Sequence, residues 1–581
     1  MSIPTTDIRD ISLDDYYDLG SYHRPVSTCS DIAQSWFDRG LIWTYAFNHE
    51  EAAECFEKAI ASDPTCAMAY WGLAYCLGPN YNKPWSFFDN NDLNTTLNRA
   101  HNAARSAQAN ARNSTPVEQA LIKAVQFRYP QESPTDDCSV WNKLYAGAME
   151  ILYHEFSDDL DVATLYADAL MNLTPWKLWD LRRGQPAPGA RTLEVKKILE
   201  RALTQENAVQ HPGLLHLYIH LMEMSGSPET ALPMADHLRG LVPDGGHLQH
   251  MPTHLDLLCG EYRRAIASNS DAIRADEKFL AKEGPLNFYT LYRSHDYHFR
   301  IYAAMFAGQS EVALDTVKKL EASIPESLLR IESPPMADWL EGFLSMRAHV
   351  LIRFGLWEDI LNLILPHDQD LYGMTTAIMH YAKGIAFAAT GRVPEANEEC
   401  GHFYNAVQRV RPTRTLFNNT CLDILAIAEA MLHGELEYRR GNIDSAFKYL
   451  RKSILLEDAL PYDEPWGWMQ PTRHAYGALL LEQGHFEQAA EVYSADLGID
   501  DTLPRALQHP NNLWALHGYH ECLVRLGRAA EARMVRKQLT IAAATADVSV
   551  NSSCFCRLVS NESSAVPDRD DLDCRVTSKC L

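Results

Sequence analysis

Apolar positions recur along most of the chain with the period of an α-helix, and the helical stretches come in pairs. In IYAAMFAGQSEVALDTVKKLEASIP, Ile301, Ala304, Ala313, Val317 and Leu320 fall where two successive helices can face a shared core, and Pro325 closes the pair. Between the members of such pairs stands a six-residue pattern: Gly, four mostly polar residues, then a small or apolar one. It recurs as GSPETA, GEYRRA, GQSEVA, GLWEDI, GRVPEA, GNIDSA, GHFEQA and GRAAEA, starting at Gly226, Gly260, Gly308, Gly355, Gly391, Gly441, Gly484 and Gly527. A helix that ends on Gly can turn left-handed at little cost, and a small residue after the turn lets the next helix pack closely. Each unit is therefore predicted to be a helical hairpin. Such a hairpin cannot bury its apolar face alone, so neighbours must stack into a solenoid with a continuous core.

Near the N-terminus, Trp36, Gly40, Trp43, Ala52, Phe56, Ala59 and Pro64 stand at the signature spacing of the tetratricopeptide repeat, with Phe47 at the turn. The hairpin pattern as a whole resembles that family. Successive turn glycines are 34 to 50 residues apart, so several repeats carry longer helices or loops than the 34-residue unit. The resemblance implies an all-α, right-handed superhelix whose first helices line the concave side. The expected organisation is an N-terminal leader (1–25), helical repeats with loop insertions (26–205), the superhelix proper (206–540) and a Cys-containing flexible tail (541–581). In the second segment TPVEQALIKAVQFRY and VATLYADALMNL read as helices, and GPNYNKPW and RRGQPAPGA as loops.

Bulk composition narrows the partners. A net charge of −24 would repel a phosphate backbone and no Lys/Arg stripe offsets it, so nucleic acid is not expected as a partner. The first twenty residues are acidic where a signal peptide is basic and then apolar, and no apolar run approaches a membrane span. A cytoplasmic protein without membrane contact is expected. The thirteen cysteines are irregularly spaced and suit buried thiols better than a disulfide framework. The terminal SKCL departs from the peroxisomal SKL and does not fit a prenylation box.

The candidate chemistry lies in the histidines. Positions thirteen, ten and six residues before each turn Gly share one helical face, and the tetratricopeptide resemblance turns that face to the groove. Those slots hold His216 and His220; His247, His250 and His254; His295, His298 and Tyr302; His349; Tyr381; His474; and His517 and Glu521. Ten of the 24 slots are His, though His makes up only 23 of 581 residues, so the enrichment points to a built array. Equivalent positions of stacked hairpins are neighbours, which predicts a ladder through His216, His250 and His298. If the array wraps a full turn, His474 and His517 approach the same space. Pro252 falls inside HMPTHL, so the helix there either starts at Pro252 or kinks.

Convergent neutral imidazoles are what a borderline or soft transition metal requires. Copper is favoured, with zinc or iron as alternatives; iron would draw on a carboxylate such as Glu223 or Glu521. A returning tail could add thiolates from Cys554 and Cys556, which would favour Cu(I) or Zn. There is no HExxH helix, phosphate-binding GxxxxGK[ST] loop or GxSxG elbow. A histidine-lined groove without metal would instead suit an acidic peptide, an aromatic ligand or a pH-sensitive contact.

The segments HPGLLHLYIH, GHLQHMPTHL, SHDYHF and EPWGWMQPTRHAYGALLLEQG, together with residues 43–85, resemble the StaR-like branch of tetratricopeptide-repeat proteins over roughly residues 30 to 540. That resemblance stresses His211, His216, His220, His250, His254, His295 and His298 and implies no particular reaction. Two functions stand against each other. One is a metal-dependent enzyme, with copper- or iron-dependent oxidation of a small molecule favoured over zinc-dependent hydrolytic or lyase chemistry, and with Tyr302 or Tyr381 near the substrate and Glu223 at the metal. The other is a non-catalytic scaffold that grips a protein or peptide in the groove.

Overall fold

A computed structural model describes residues 16–557. They form an all-α superhelix of stacked helical hairpins, as the glycine pattern predicts. The strands among them are two short ladders, Trp179–Asp180 with Gln185–Pro186 and Thr415–Leu416 with Asn419–Thr420. In the first hairpin, Asp31–Tyr45 and His49–Ser62, the Ser30 and Asn48 side chains cap the helices by accepting the N–H groups of Ala33 and Glu51. Phe47 takes the left-handed turn (φ 56°) that glycine fills elsewhere.

Seven of the eight turn glycines are left-handed, with φ from 64° to 80°. Gly226 is the exception. Its hairpin continues through the short turn Pro228–Ala231 into Leu232–Leu238, and Pro228 holds Ser227 out of the helical region, so no left-handed residue is required. Between residues 80 and 205 the helices are Asn90–Asn110, Pro116–Val125, Ser139–Glu155, Leu160–Met171 and Thr192–Leu203. Thr115 and Glu118 close a capping box at the second of these, one of the two segments expected to be helical.

The two ends of the described residues are laid onto the middle of the chain. Tyr17 packs against Trp43 and Phe279. At the other end, Asp547 accepts the N–H groups of Ser310 and Glu311 at 2.7 and 2.8 Å, capping a helix 237 residues upstream. The Tyr262 hydroxyl donates to Pro510 O, the Trp514 indole to Met305 O, and Phe555 rests on Gly355. Arg353, buried over the Trp514 ring, donates to Ser553 O. Residues 544–557, expected as part of a flexible tail, are thus a packed strap, because their polar groups find buried partners. The SKCL terminus lies outside the described residues. No described helix is long and apolar enough to cross a membrane.

The concave side is filled by the chain's own loops. Tyr81 and Trp176 reach His220, Phe417 reaches His295, Glu464 reaches His254, and Trp468 and Met469 reach His349 and His298. The groove expected to receive a peptide is therefore occupied from within.

Candidate metal centre

Three neighbouring segments supply the centre. Pro212 starts the helix Pro212–Glu223, where His211 caps by accepting the Leu214 N–H and contacts Asp161 at 3.2 Å. One turn of this helix separates His216 from His220, and three further residues bring Glu223 to the same side. Gly213 lies flat on the Tyr45 ring, where a Cβ would come within 2.4 Å, and so lets this helix approach the first hairpin. The second segment resolves the ambiguity at Pro252. It forms two short helices, Gly246–His250 and Pro252–Leu258, joined at Met251. The break leaves His247, His250 and His254 on one side. The helix Thr290–Phe306 adds His295, Asp296 and His298.

Six imidazoles converge here, all essentially out of solvent; His295 is the most accessible at 7%. Ligand atoms of His216, His220 and His247 lie within 4.8 Å of one another, and so do those of His250, His254 and His295. Glu223 touches both groups: Oε1 is 3.0 Å from His220 Nδ1 and Oε2 is 2.5 Å from His254 Nδ1. His216 Nδ1 donates to Tyr45 O at 2.6 Å. His250 Nδ1 is 2.7 Å from Asn269 Oδ1, and Asn269 turns its amide nitrogen to Ala265 O, so the imidazole must donate.

These outer contacts fix tautomers. With Nδ1 of His250 protonated, its Nε2 carries a lone pair, and that lone pair faces His254 Nε2 at 2.8 Å. That separation is the length of an N–H···N hydrogen bond, which His254 donates when its proton sits on Nε2; a metal bound by both nitrogens at about 2.0 Å would stand off the line between them. Nε2 of His216 and His220, both nitrogens of His247 and Nδ1 of His295 have no hydrogen-bond partner although they are buried. Such orphaned polar nitrogens are costly unless something binds them.

Burial sets the charge state. Desolvation holds His220 and His250 down to about 3 and drives His216, His247, His254 and His295 well below the ordinary imidazole value, with neighbouring imidazoles adding to all four of these. The rings are neutral and thus competent ligands at pH 7. Desolvation also raises Glu223, Glu464 and Asp296 well above the usual carboxylate range. The nearby charge of Glu223 adds to the shift at Glu464, and that of Asp276 to the shift at Asp296. A cation placed among them would restore their ionised forms.

The remaining expected residues are placed elsewhere. His298 contacts Met469 Sδ at 2.8 Å, and His349 packs edge-on to Trp468, beside the cluster but in none of its converging groups. His474 has both nitrogens engaged, Nδ1 by Arg353 at 2.9 Å and Nε2 by Asp496 at 2.9 Å, and so belongs to an ion network instead. His517 is half-buried on the last hairpin, near Glu521 and Asn551. The superhelix does wrap back, but its return brings these two histidines to the strap. Glu521 is held by Arg557 at 2.7 and 2.9 Å, which removes it as an iron ligand. Cys554 and Cys556 are disulfide-bonded to each other and line a cavity with His474, Tyr381 and Glu435, so they supply no thiolate to the cluster. Tyr302 stacks on Phe306 at 4.5 Å and lines a cavity with Tyr262, Tyr462 and Glu464 that none of the six imidazoles lines.

A cavity of about 40 Å³ opens onto the cluster at His254 and His295, walled by Trp176, Tyr292, Phe417 and Asp463. That volume holds only a few waters. Among the residues of the site that the repeat pattern misses are Asp296, Asn269 and Glu464. Asp296 stands directly after a ladder histidine in SHDYHF, and Glu464 opens the EPWGWMQP loop, so both were adjacent to a visible signal. Asn269 lies on a second helix, where the concave-face register does not look.

Fold and site together define an all-α solenoid of helical hairpins wrapped around an imidazole-rich interior. Residues 33–66 match the tetratricopeptide repeat, the hairpin in which the signature residues were found. No curated protein matches the chain. Solved structures with overlapping folds include the human IFIT1 dimer with m7Gppp-AAAA (10% identity, 89% of this chain and 92% of that one, TM-score 0.31). The Cut9–Hcn1 hetero-tetramer of the APC/C (14%, 83% and 76%, 0.31) and yeast Tom70 (10%, 88% and 93%, 0.29) overlap similarly. Superposition at this level carries no inference about function.

Proposed function

We propose that the chain is a metal-binding protein, with copper favoured over zinc or iron, and that the metal serves a reaction on a small molecule, oxygen-dependent oxidation before hydrolytic chemistry. The observation that carries this reading is the convergence of six buried imidazoles in which Nε2 of His216 and His220, both nitrogens of His247 and Nδ1 of His295 have no hydrogen-bond partner. A donor set dominated by nitrogen suits copper or zinc; Glu223 contacts two of the imidazoles, and Asp296, whose oxygens have no hydrogen-bond partner, stands within reach of His247 and His250. The likeness to the StaR-like branch in HPGLLHLYIH and GHLQHMPTHL is in keeping with a role for these same residues. The cavity at His254 and His295 offers a place beside the centre for a molecule the size of dioxygen or water.

The test is a double substitution, His250→Ala with His254→Ala, in untagged protein. It abolishes metal retention while the far-ultraviolet circular dichroism stays helical; a double variant that binds metal as the parent does would overturn the reading. A second reading, a non-catalytic scaffold, is favoured by the repeat match at 33–66. Because loops fill the groove, such a scaffold must present its partner surface on the outside.

A further inference from the structure

We infer that the cluster is built for two metal ions, one in each group of three imidazoles, with Glu223 as the outer carboxylate common to both; this rests on the metal-binding reading above. Six convergent imidazoles exceed what one ion of this class accepts, since a nitrogen-ligated zinc or copper site takes about three or four. His216, His220 and His247 form one compact all-imidazole set and His250, His254 and His295 another, and two mixed sets, His220 and His254 with Glu223 and His247 and His250 with Asp296, join them. The sets adjoin, with ring centroids 5.7 Å apart for His220 and His254 and 5.8 Å for His247 and His250.

The outer contacts repeat the same division. In the first set Tyr45 O orients His216 and Glu223 Oε1 orients His220; in the second Asn269 orients His250 and Glu223 Oε2 orients His254. In each set two rings are thus turned so that Nε2 points inward, and the third, His247 or His295, keeps an orphaned nitrogen. One buried carboxylate therefore sets a ligand of each ion. The ions are not equivalent. Two ligands of the second set line the Trp176–Phe417 cavity, so an exogenous ligand reaches that ion. The first set is walled by Phe47, which stacks on His220 and His247. Three protein ligands leave each ion a coordination position free for a shared ligand, the arrangement by which paired ions act on one small molecule.

The experiment is anaerobic reconstitution of the full chain with Cu(I), removal of loosely bound metal, elemental analysis, and then oxidation and electron paramagnetic resonance. Two ions per chain are expected, with an integrated Cu(II) signal well below two spins because adjacent ions couple. His216→Gln and His295→Gln should each lower the stoichiometry to one and restore a full single-ion signal. One ion per chain in the parent overturns the paired centre but leaves the metal-binding reading standing, and no bound ion overturns both. Two ions with two full, independent spins also contradict the pair. Where a Gln variant fails to fold, titration of the parent with Zn(II) against a chelator decides the number alone.

Discussion

Glu223→Gln separates the two halves of the centre by a change of one atom. Glu223 is fully buried, with Oε1 3.0 Å from His220 Nδ1 and Oε2 2.5 Å from His254 Nδ1, and once a bound cation ionises it, it accepts from both. A glutamine has one acceptor oxygen and one donor nitrogen. The oxygen will keep the shorter contact, to His254, and the amide N–H will face His220. His220 must then accept at Nδ1 and carry its proton on Nε2, which points into the first triad and can no longer bind metal. Loss of such an outer partner typically weakens metal affinity by about 10- to 100-fold, or roughly 1.4 to 2.7 kcal/mol. The assay is a chelator-competition titration with copper at pH 7, resolved into two dissociation constants. One constant rises within that range while the other holds; Glu223→Leu, which removes both acceptors, raises both. Unchanged constants in Glu223→Gln would refute the argument that this carboxylate fixes the ligand tautomers.

Other outcomes follow from the same contacts. Folded His220 and His250 stay neutral down to about 3, whereas the unfolded chain takes up protons below the ordinary value of 6.5. Metal-free protein therefore loses stability as pH falls from 6.5 towards 3, by roughly 1.4 kcal/mol per pH unit per imidazole, and copper moves this acid limb lower; denaturation midpoints that do not change between pH 7 and 5 in the metal-free protein would contradict it. His474→Ala leaves the copper stoichiometry unaltered yet strips buried Asp496 and Arg353 of a partner, costing about 3 kcal/mol or more in a urea titration; loss of an ion would place His474 in the centre after all. Gly260→Ala puts a Cβ 2.2 Å from Pro510 O at a φ of 74°, which should destabilise by about 1–3 kcal/mol and raise hydrogen exchange across residues 505–512, and unchanged exchange there would show that the returning end does not seat on this turn.

The hairpins were legible because their signal is local: a glycine at a turn, a small residue after it and helical spacing on either side. Gly226 escaped that logic since Pro228 alone can force the turn. Six of the ten ladder histidines meet for the same local reason, being one turn apart on first helices or equivalent in adjacent units. His474 and His517 did not, because their place depends on how the superhelix returns on itself, which is set by long-range contacts such as Tyr262 with Pro510 and Asp547 with Ser310. The filling of the groove was equally hidden. Trp176, Phe417 and Glu464 sit in loops between units, and nothing in their immediate sequence says that these loops turn inward rather than out.

The tail cysteines show the limit from the other side. CFC within VSVNSSCFCRL invites a soft-metal reading, and the segment does fold back. Its docking partners, however, are Arg353, Arg439 and the Tyr493 hydroxyl, which bring Cys554 and Cys556 to the strap side of His474 and not to the imidazole cluster. Composition identified the ligand type, and tertiary contacts decided the address.

The central claim, that buried imidazoles of this solenoid hold a transition metal, is tested most directly by X-ray absorption on the copper-loaded, untagged protein. The account predicts a first shell of nitrogen with the outer-shell scattering of about three imidazoles per ion. A sulfur-dominated shell, a shell of oxygen alone, or a protein that retains no copper under any reconstitution would contradict it.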